Sequence, residues 1–284
     1  MKKISAKIIK EKVHDLCIDA NINIDPQVNL ALKQAIKQET AATAKEILSI
    51  IVKNHELARQ KEMPLCQDTG MALFFVDIGQ DIHVVDGNIN HAINEGVKSG
   101  YKSGYLRKSV VYDPAFQRKN TESNTPALIH YNIVPGDQLT ITCAPKGGGA
   151  ENMSRIQMMK PADGIPGIKN FVLESVKQAG GNPCPPLILG IGVGSNFEGA
   201  ALLAKKALLR PLNSYHPEQE WADLEKQLLK EINELGIGPM GLGGKTTAIG
   251  VNILTAATHI ASLPVAINFQ CHCHRHKTII IEGS

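Results

Sequence analysis

The sequence predicts an α+β fold, a helix-rich domain with mixed and antiparallel strands. Apolar residues recur at helical spacing through the first sixty positions. Several short apolar runs rich in β-branched residues come later in the chain and are typical of strands. These blocks do not alternate in the regular way that parallel βαβ units require, so a doubly wound fold is not expected.

The helical blocks are identified by their apolar periodicity and by the residues at their ends. Asp25 followed by Pro26 is typical of a helix start, and Thr40 can cap a third helix, which is expected to bury Ile47, Ile50, Ile51 and Leu57. Glycines at 180–181 and 236 indicate helix ends. Helices are expected over 4–17, from 26, from 40, and over 86–103, 168–179, 200–209 and 218–235.

The strand-like runs are short and are bounded by turn residues. The pair 127–134 and 138–143 flanks Pro135-Gly136-Asp137, which predicts an antiparallel hairpin. The predicted strands are 71–78, 127–134, 138–143, 187–193, 248–254, 265–269 and 278–281.

Composition excludes several classes of protein. The chain has 284 residues, 43% of them hydrophobic, and a formal net charge of +3, which argues against disorder and against a nucleic-acid groove. Its longest apolar stretches fall far below the roughly 20 residues that a membrane span needs. The basic start has no apolar segment behind it, so we expect a cytoplasmic protein with reduced cysteines.

Three glycine-rich segments could bind anions through backbone N–H groups. Residues 238–246 resemble a phosphate-binding loop, but Pro239 stands where the motif needs glycine. Residues 190–194 resemble a dinucleotide fingerprint, but Ser195 follows, and the acidic residue expected about 20 positions later is missing. The segment 146–152, with three consecutive glycines, is the best candidate for a carboxylate-binding loop.

The six cysteines fall into two groups by their surroundings. Cys66, Cys184 and Cys271 stand at expected turns or strand ends among polar, proline or glycine residues, where a thiolate could point into a cavity. Cys17 and Cys143 lie on a helix stripe and within a strand, and are expected in the core. Spacing alone does not distinguish a metal-binding cysteine from a small buried hydrophobic residue.

Five motifs together carry a family resemblance. They are Cys-Gln-Asp-Thr-Gly at 66–70, Lys-Gly-Gly-Gly at 146–149, Asn-Pro-Cys-Pro-Pro at 182–186, Gly-Ile-Gly-Pro at 236–239 with Gly-Gly-Lys-Thr-Thr-Ala after it, and His-Ile-Ala-Ser-Leu-Pro-Val-Ala at 259–266. In this order, over nearly the whole chain, the sequence resembles the class I (iron–sulfur) fumarate hydratases. It is most similar to the α subunit of the two-subunit type, and residues 1–284 would then form one cluster-binding domain like the N-terminal domain of that family.

The resemblance implies a cofactor. Cys66, Cys184 and Cys271 would hold a [4Fe–4S] cluster, and three protein ligands would leave one iron open as a Lewis acid for a hydroxyl and a carboxylate. Relatives carry small residues after the third ligand, whereas this chain has Cys271-His272-Cys273-His274-Arg275. If that segment is an extended strand, Cys273 shares a face with Cys271 and could be a substitute or additional soft ligand or a site of oxidation. We expect it to lie beside the cluster without binding iron.

The resemblance also assigns roles to five other residues. Asp68 and His259 would be catalytic, with Asp68 taking part in proton transfer. Gln67, Arg107 and the backbone of Gly148 would bind a small dicarboxylate substrate. Taken without the motif, Asp68 could equally cap a turn, Arg107 could belong to a solvated face, and His259 could be structural.

The implied reaction is the reversible hydration of fumarate to (S)-malate, a lyase step of the citric acid cycle. In single-chain relatives a second domain supplies a threonine base and further carboxylate clamps, and we expect it here on a separate β subunit in an α₂β₂ assembly. Two alternatives stay open: the α subunit of an L(+)-tartrate dehydratase, which is similar in outline, and a non-catalytic scaffold that binds metal through its Cys/His-rich end.

Overall fold

The secondary structure is mixed, as the sequence predicts. A computed structural model describes residues 2–283 of the chain. Its helices are α1 (Ala6–Ile22), α2 (Pro26–Gln38), α3 (Ala42–Lys61), α4 (Ile89–Ser103), α5 (Gly148–Glu151), α6 (Gly164–Ala179), α7 (Phe197–Ala207) and α8 (Gln219–Glu234). Its strands are β1 (Lys2–Ser5), β2 (Leu73–Gly79), β3 (Ile82–Val85), β4 (Leu128–Val134), β5 (Gln138–Cys143), β6 (Arg155–Met159), β7 (Leu187–Ser195), β8 (Ala248–Thr258), β9 (Leu263–Gln270) and β10 (Lys277–Glu282).

The chain divides into two compact units. The first unit comprises Met1–Ile24, His55–Gly148 and Arg275–Ser284, and the second comprises Asp25–Asn54 and Gly149–His274. Each unit has its own sheet and its own apolar core. The α+β class is confirmed, while the single cluster-binding domain over residues 1–284 stays a prediction.

The first unit packs a helix pair against a four-stranded sheet. The strand order is β10-β5-β2-β4, with β2 antiparallel to β5 and parallel to β4, and a short parallel pair β1–β3 lies apart from it. Phe74 and Val76 of β2 share a core with Val13 of α1 and Val97 of α4. Each such side chain contributes about 1.5–3 kcal/mol when fully buried, so this face holds the two helices in place.

The predicted hairpin between β4 and β5 is wrong. Both strands form where the sequence predicts them, but β2 lies between them and pairs with each. The Pro135–Asp137 turn is therefore a connection across β2, and the N–H of Asp81 bonds to the carbonyl of Gly136 within it. A local turn signal cannot show that a strand sixty residues earlier will be inserted between its two neighbours.

The second unit is built around a central strand that is buried on both faces. Its sheet has the order β6-β9-β7-β8, and β7 pairs antiparallel with β9 and parallel with β8. Leu189 and Ile191 of β7 pack into a core with Phe171 of α6 and Leu228 of α8. Alternate side chains of a strand point to opposite faces, so the glycines of β7 face away from that core.

Because these glycines lack side chains, α7 can pack closely against the other face of β7. A Cβ atom on Gly190 would lie 2.1 Å from the carbonyl oxygen of Ala204, and one on Gly192 would lie 2.1 Å from that of Ala200. The G-x-G-x-G run at 190–194 thus allows a helix backbone to approach a strand closely. Its resemblance to a dinucleotide fingerprint has this packing origin.

The segment 238–246, which resembles a phosphate-binding loop, binds the carboxylate of Glu39 from the same chain. Glu39 is 4% exposed, its Oε2 accepts a hydrogen bond from the N–H of Lys245 at 2.8 Å, and its Oε1 accepts from Thr40 and Ala41 at 2.9 and 3.1 Å. Burial alone would raise the pKa of Glu39, but these backbone donors outweigh it and hold the pKa below its ordinary value of 4.5.

The start of the third helix differs from the prediction. α3 begins at Ala42, so Thr40 lies too early to cap it, and Glu39 binds the N–H groups of this turn instead. Ile51 is buried and Ile47 is half-buried, as expected. Ile50 and Leu57 are 58% and 50% exposed, because the buried face of the helix is centred on Leu48 and Ile51. An N-cap of Ser or Thr type is a frequent signal, but a preceding glutamate can satisfy the same donors.

Candidate functional site

The segment that carries Cys66, Gln67 and Asp68 is an irregular loop of the first unit, between α3 and β2. The N–H of Leu65 donates to the carbonyl of Asn21 at 2.9 Å, and Met71 exchanges two backbone hydrogen bonds with Lys146. The second contact continues the β2–β5 pairing, so it brings the loop to the same sheet end as the glycine segment that follows β5. Gly70 has φ +73°, and a Cβ there would collide with the Lys146 carbonyl carbon at 2.5 Å.

The carboxylate of Asp68 is bound by backbone N–H groups on both oxygens. Oδ1 accepts from Gly70 at 3.0 Å, and Oδ2 accepts from Gly148 at 2.8 Å. The main-chain carbonyl of Asp68 accepts from Nη1 of Arg275 at 2.9 Å. The glycine segment therefore binds a carboxylate, and in this structure that carboxylate belongs to Asp68. Asp68 and Gly148, two of the predicted site residues, are thus in direct contact.

Gln67 and Arg107 also belong to the first unit, and both are exposed. The Oε1 of Gln67 accepts from the Sγ of Cys66 at 3.5 Å, and the Oγ1 of Thr69 donates to the carbonyl of Arg107 at 3.1 Å. The backbone of Arg107 is therefore fixed to the residue that follows Asp68. The exposed side chain of Arg107 therefore extends from a backbone position that is fixed next to Asp68.

Cys184 and Cys271 come together at one end of the sheet of the second unit. Cys184 lies three residues before β7, Cys271 lies directly after β9, and the antiparallel pairing places Ile188 opposite Gln270. The N–H of His272 donates to the carbonyl of Cys184 at 3.3 Å, which joins the two segments. Both cysteines are partly exposed, and Cys184 has φ +56°. Cys66, also partly exposed, belongs to the first unit.

His259 lies at the other end of this sheet. It follows the last residue of β8, where Thr258 pairs with Ser195 at the end of β7. Since β7 and β8 are parallel, the length of β7 separates His259 from the two cysteines, and eight steps of about 3.3 Å amount to roughly 26 Å. His259 is exposed on its turn, and its Nδ1 accepts from the N–H of Ala261 at 3.1 Å, so the neutral ring carries its proton on Nε2.

The remaining cysteines are buried. Cys17 and Cys143 are fully buried in the core of the first unit, as predicted, and burial raises the pKa of the Cys143 thiol well above its ordinary value. Cys273 is 1% exposed, and its Sγ lies 3.3 Å from Nδ1 of His272. The segment 271–276 is irregular, so the face-sharing expected for an extended strand does not apply to Cys273.

The sequence analysis missed the residues that hold the Asp68 loop. Tyr101 is fully buried, and its hydroxyl contacts the carbonyls of Thr69 and Gly70 at 3.2 and 3.1 Å. The Nδ2 of Asn124, also fully buried, donates to the carbonyl of Gly70 at 3.2 Å. These residues lie 30 to 55 positions from the loop in sequence, and no motif indicates the contact.

A cavity of about 700 Å³ lies elsewhere in the first unit. His14, Asp19, Arg59 and Tyr105 are among the residues that line it, and none of the predicted site residues does. We assign it no role in the site. Among residues 2–283, no helix is both long and apolar enough to cross a membrane.

Comparison with known proteins supports the motif-based resemblance. A family model described as Fumarate hydratase (Fumerase) matches residues 10–280. The "Putative L(+)-tartrate dehydratase subunit alpha" of Methanocaldococcus jannaschii is 44% identical over 271 residues, 94% of this chain and 95% of the relative. The L(+)-tartrate dehydratase subunit alpha of Escherichia coli O157:H7 is 35% identical over 255 residues, 89% of this chain and 84% of the relative. The chain belongs to the fumarate hydratase (Fumerase) family.

Proposed function

We propose that this chain is the α subunit of an iron–sulfur hydro-lyase that reversibly hydrates fumarate to (S)-malate. The observation that carries the proposal is the contact between the Asp68 carboxylate and the N–H of Gly148, because it provides a carboxylate-binding donor beside a candidate base. Family membership supplies the reaction class. The proposal includes a cytoplasmic location and a role in the citric acid cycle.

The proposed cofactor is a [4Fe–4S] cluster with Cys66, Cys184 and Cys271 as its ligands. Thiolates suit such a cluster, and all three cysteines are partly exposed, unlike the buried Cys17 and Cys143. The β7–β9 pairing, which brings Cys184 and Cys271 to one sheet end, supports two of the three ligands. When bound, the cluster would supply an open iron as a Lewis acid at the substrate hydroxyl.

We propose that the backbone of Gly148 binds the substrate. Its N–H would bind one substrate carboxylate, and Oδ2 of Asp68 would then be displaced while Oδ1 stays bound to Gly70. This exchanges one carboxylate–amide hydrogen bond for another of the same type, so its net free-energy cost is small. The released oxygen of Asp68 becomes available to accept a proton, while Gln67 and Arg107 bind the rest of the dicarboxylate.

His259 leads us to propose that the assembly contains two α chains. It is separated from Cys184 and Cys271 by the length of β7, roughly 26 Å, so it cannot act at a centre built on those cysteines of its own chain. In the proposed α₂β₂ enzyme, a two-fold axis allows each chain to supply His259 to the centre of the other.

Mixed enzymes test the assignment of His259. A His259→Ala chain with intact cysteines is co-expressed under a separate tag with a Cys184→Ala chain that keeps its histidine, each with the β subunit. If His259 acts across chains, the mixed enzyme has one competent centre of two and retains about half the activity. An inactive mixed enzyme, with both parents inactive and the mixed assembly isolated, would contradict the proposal.

The cluster is tested by anaerobic reconstitution of the full chain, followed by iron and sulfide counts and EPR. We expect Cys66→Ala, Cys184→Ala and Cys271→Ala to lose iron, whereas Cys17→Ala and Cys143→Ala, which alter only the core, retain it. A wild-type chain that stays free of iron, or that binds zinc without needing Cys66, would refute the proposal and favour the scaffold alternative.

L(+)-tartrate is the second candidate substrate, and the names of the relatives favour it. These relatives are named as alpha subunits, which supports the proposed β-subunit partner. Tartrate differs from malate by one added hydroxyl, and a site that hydrogen-bonds that hydroxyl rejects malate by about 10⁴-fold or more. Comparison of kcat/KM for the two acids with the reconstituted complex decides between them. Preference for tartrate on that scale would replace the fumarate assignment.

A further inference from the structure

Arg275 is a guanidinium buried in the first unit, where no carboxylate of the described residues forms an ion pair with it. It is 2% exposed and is the largest of the fully buried side chains among the described residues. Its Nη1 donates to the carbonyl of Asp68 at 2.9 Å and to Oδ1 of Asn21 at 3.1 Å, and its Nε has no hydrogen-bond partner in the part of the chain that the structure describes. Within residues 2–283, no ion pair involves it. Burial of an unpaired charge destabilises a fold, so this position calls for an explanation other than packing.

The hydrogen bond to Asp68 is part of a set that fixes the loop. The carbonyls of Asp68, Thr69 and Gly70 are each contacted by a side chain from a distant part of the sequence: Arg275 contacts the first, and Tyr101 the other two. Arg275 is the charged member of this set, and a charged donor makes a stronger hydrogen bond than a hydroxyl. It therefore holds the main chain at the residue whose carboxylate binds Gly148.

Gly147 lies against both groups. A Cβ atom on this residue would be 3.3 Å from Oδ2 of Asp68 and 3.4 Å from Nη2 of Arg275. The missing side chain leaves room for the guanidinium and the carboxylate on the same side of the glycine segment. The guanidinium of Arg275 and the carboxylate of Asp68 therefore both approach Gly147 from the side that a side chain would occupy, and the bond between the two residues is the one to the Asp68 carbonyl.

We propose that Arg275 is a positioning residue for the reaction, one that acts through Asp68 without contacting the substrate. Its hydrogen bond fixes the main chain of Asp68, which aims the carboxylate at the N–H of Gly148 and keeps it within reach of a substrate bound there. The inference rests on the proposed function for its catalytic consequence. The aim of the carboxylate is a property of the loop itself and can be measured without turnover.

The first measurement uses the enzyme reconstituted anaerobically with its β subunit. We expect Arg275→Gln to lower kcat for malate by about 10²-fold per iron-loaded centre, because a displacement of about 1 Å at a reacting group costs that much, with KM changed little. Arg275→Lys, which retains the charge and a donor, is expected to restore part of kcat. Arg210→Gln removes a partly buried arginine of the second unit, one paired with Glu225, and is expected to leave kcat per iron unchanged.

The second measurement is hydrogen exchange of the full chain, read on peptides that contain Gly70 and Gly148. Both amides are bound to the Asp68 carboxylate, so both should exchange faster in Arg275→Gln and at the wild-type rate in Arg210→Gln. If Arg275→Gln does not fold, Gly147→Ala, which crowds the same two groups, is expected to give the same faster exchange and lower kcat.

The two readouts separate the inference from the function on which it rests. A wild-type complex that turns over no dicarboxylate refutes the proposed function, while faster exchange in Arg275→Gln still supports the positioning role. Unchanged exchange at Gly70 and Gly148 overturns that role. The positioning role is also overturned if the loss of activity in Arg275→Gln is fully explained by loss of folded or iron-loaded protein, and Arg210→Gln shows the same loss.

Discussion

Replacement of Glu39 by glutamine tests whether the glycine-rich segment 238–246 binds an internal carboxylate. In the native chain Oε1 accepts from Thr40 and Ala41, and Oε2 accepts from Lys245. The amide oxygen of glutamine can replace one carboxylate oxygen, but its NH₂ group cannot accept a hydrogen bond. The Lys245 contact or the Thr40–Ala41 contacts must be lost, and loss of a charge-assisted hydrogen bond at a buried site costs about 1.5–3 kcal/mol.

The loss should depend on pH in a defined direction. The pKa of Glu39 lies below its ordinary value of 4.5 in the folded chain, because backbone donors outweigh the effect of burial. A group with a lowered folded pKa contributes stability that is present above its unfolded pKa and is lost as the pH falls through the folded one. The stability difference between wild type and Glu39→Gln should therefore be full above about pH 5 and shrink below pH 4.5.

Urea unfolding of the full chain, followed by circular dichroism at several pH values, measures this difference. Glu11→Gln provides the control, since Glu11 has an exposed side chain on α1 and is expected to have little effect at any pH. A difference for Glu39→Gln that is absent, or that stays constant from neutral pH to pH 4, would refute the assigned hydrogen bonds.

Two further substitutions test the packing of the second unit. Gly192→Ala brings a Cβ atom to 2.1 Å from the carbonyl of Ala200, so α7 must shift, and we expect a loss of about 1–3 kcal/mol in scanning calorimetry; unchanged stability would contradict the packing role. Glu225→Gln removes the negative charge that pairs with the guanidinium of Arg210 and weakens the bonds from the N–H groups of Ile253 and His216. It should cost about 3–5 kcal/mol in urea unfolding, and a loss below 1 kcal/mol would show that the pair is dispensable.

The elements of the fold could be predicted more accurately than their pairing. The helix after Asp25-Pro26 forms as predicted, with Oδ1 of Asp25 accepting from the N–H of Gln27 at 2.7 Å, because a cap and a proline act within one turn. The hairpin prediction failed because β2 comes between β4 and β5. β3, a strand of only four residues, was missed, because a run of that length carries too little pattern.

In the candidate site, too, residues within one local motif could be predicted, whereas residues whose position depends on the fold could not. Cys66, Gln67 and Asp68 are contiguous, so a single motif locates all three. The role of Arg275 could not be predicted, because the sequence places this arginine between histidines and gives no sign that it is buried in the folded chain. The position of His259 depends on the parallel pairing of β7 with β8, which no local pattern encodes.

The three glycine-rich segments explain why motif spacing could exclude a function without supplying the true one. Pro239 and Ser195 break the nucleotide patterns, and that exclusion needs no structure. In the folded chain the segment 238–246 binds Glu39, about 200 residues away, whereas the glycines of β7 pack against the backbone of α7, the next helix in the chain. The segment 146–152 differs from the other two, because its internal carboxylate, Asp68, belongs to an accessible loop. We therefore expect this segment, alone of the three, to exchange its internal carboxylate for that of a substrate without unpacking the core.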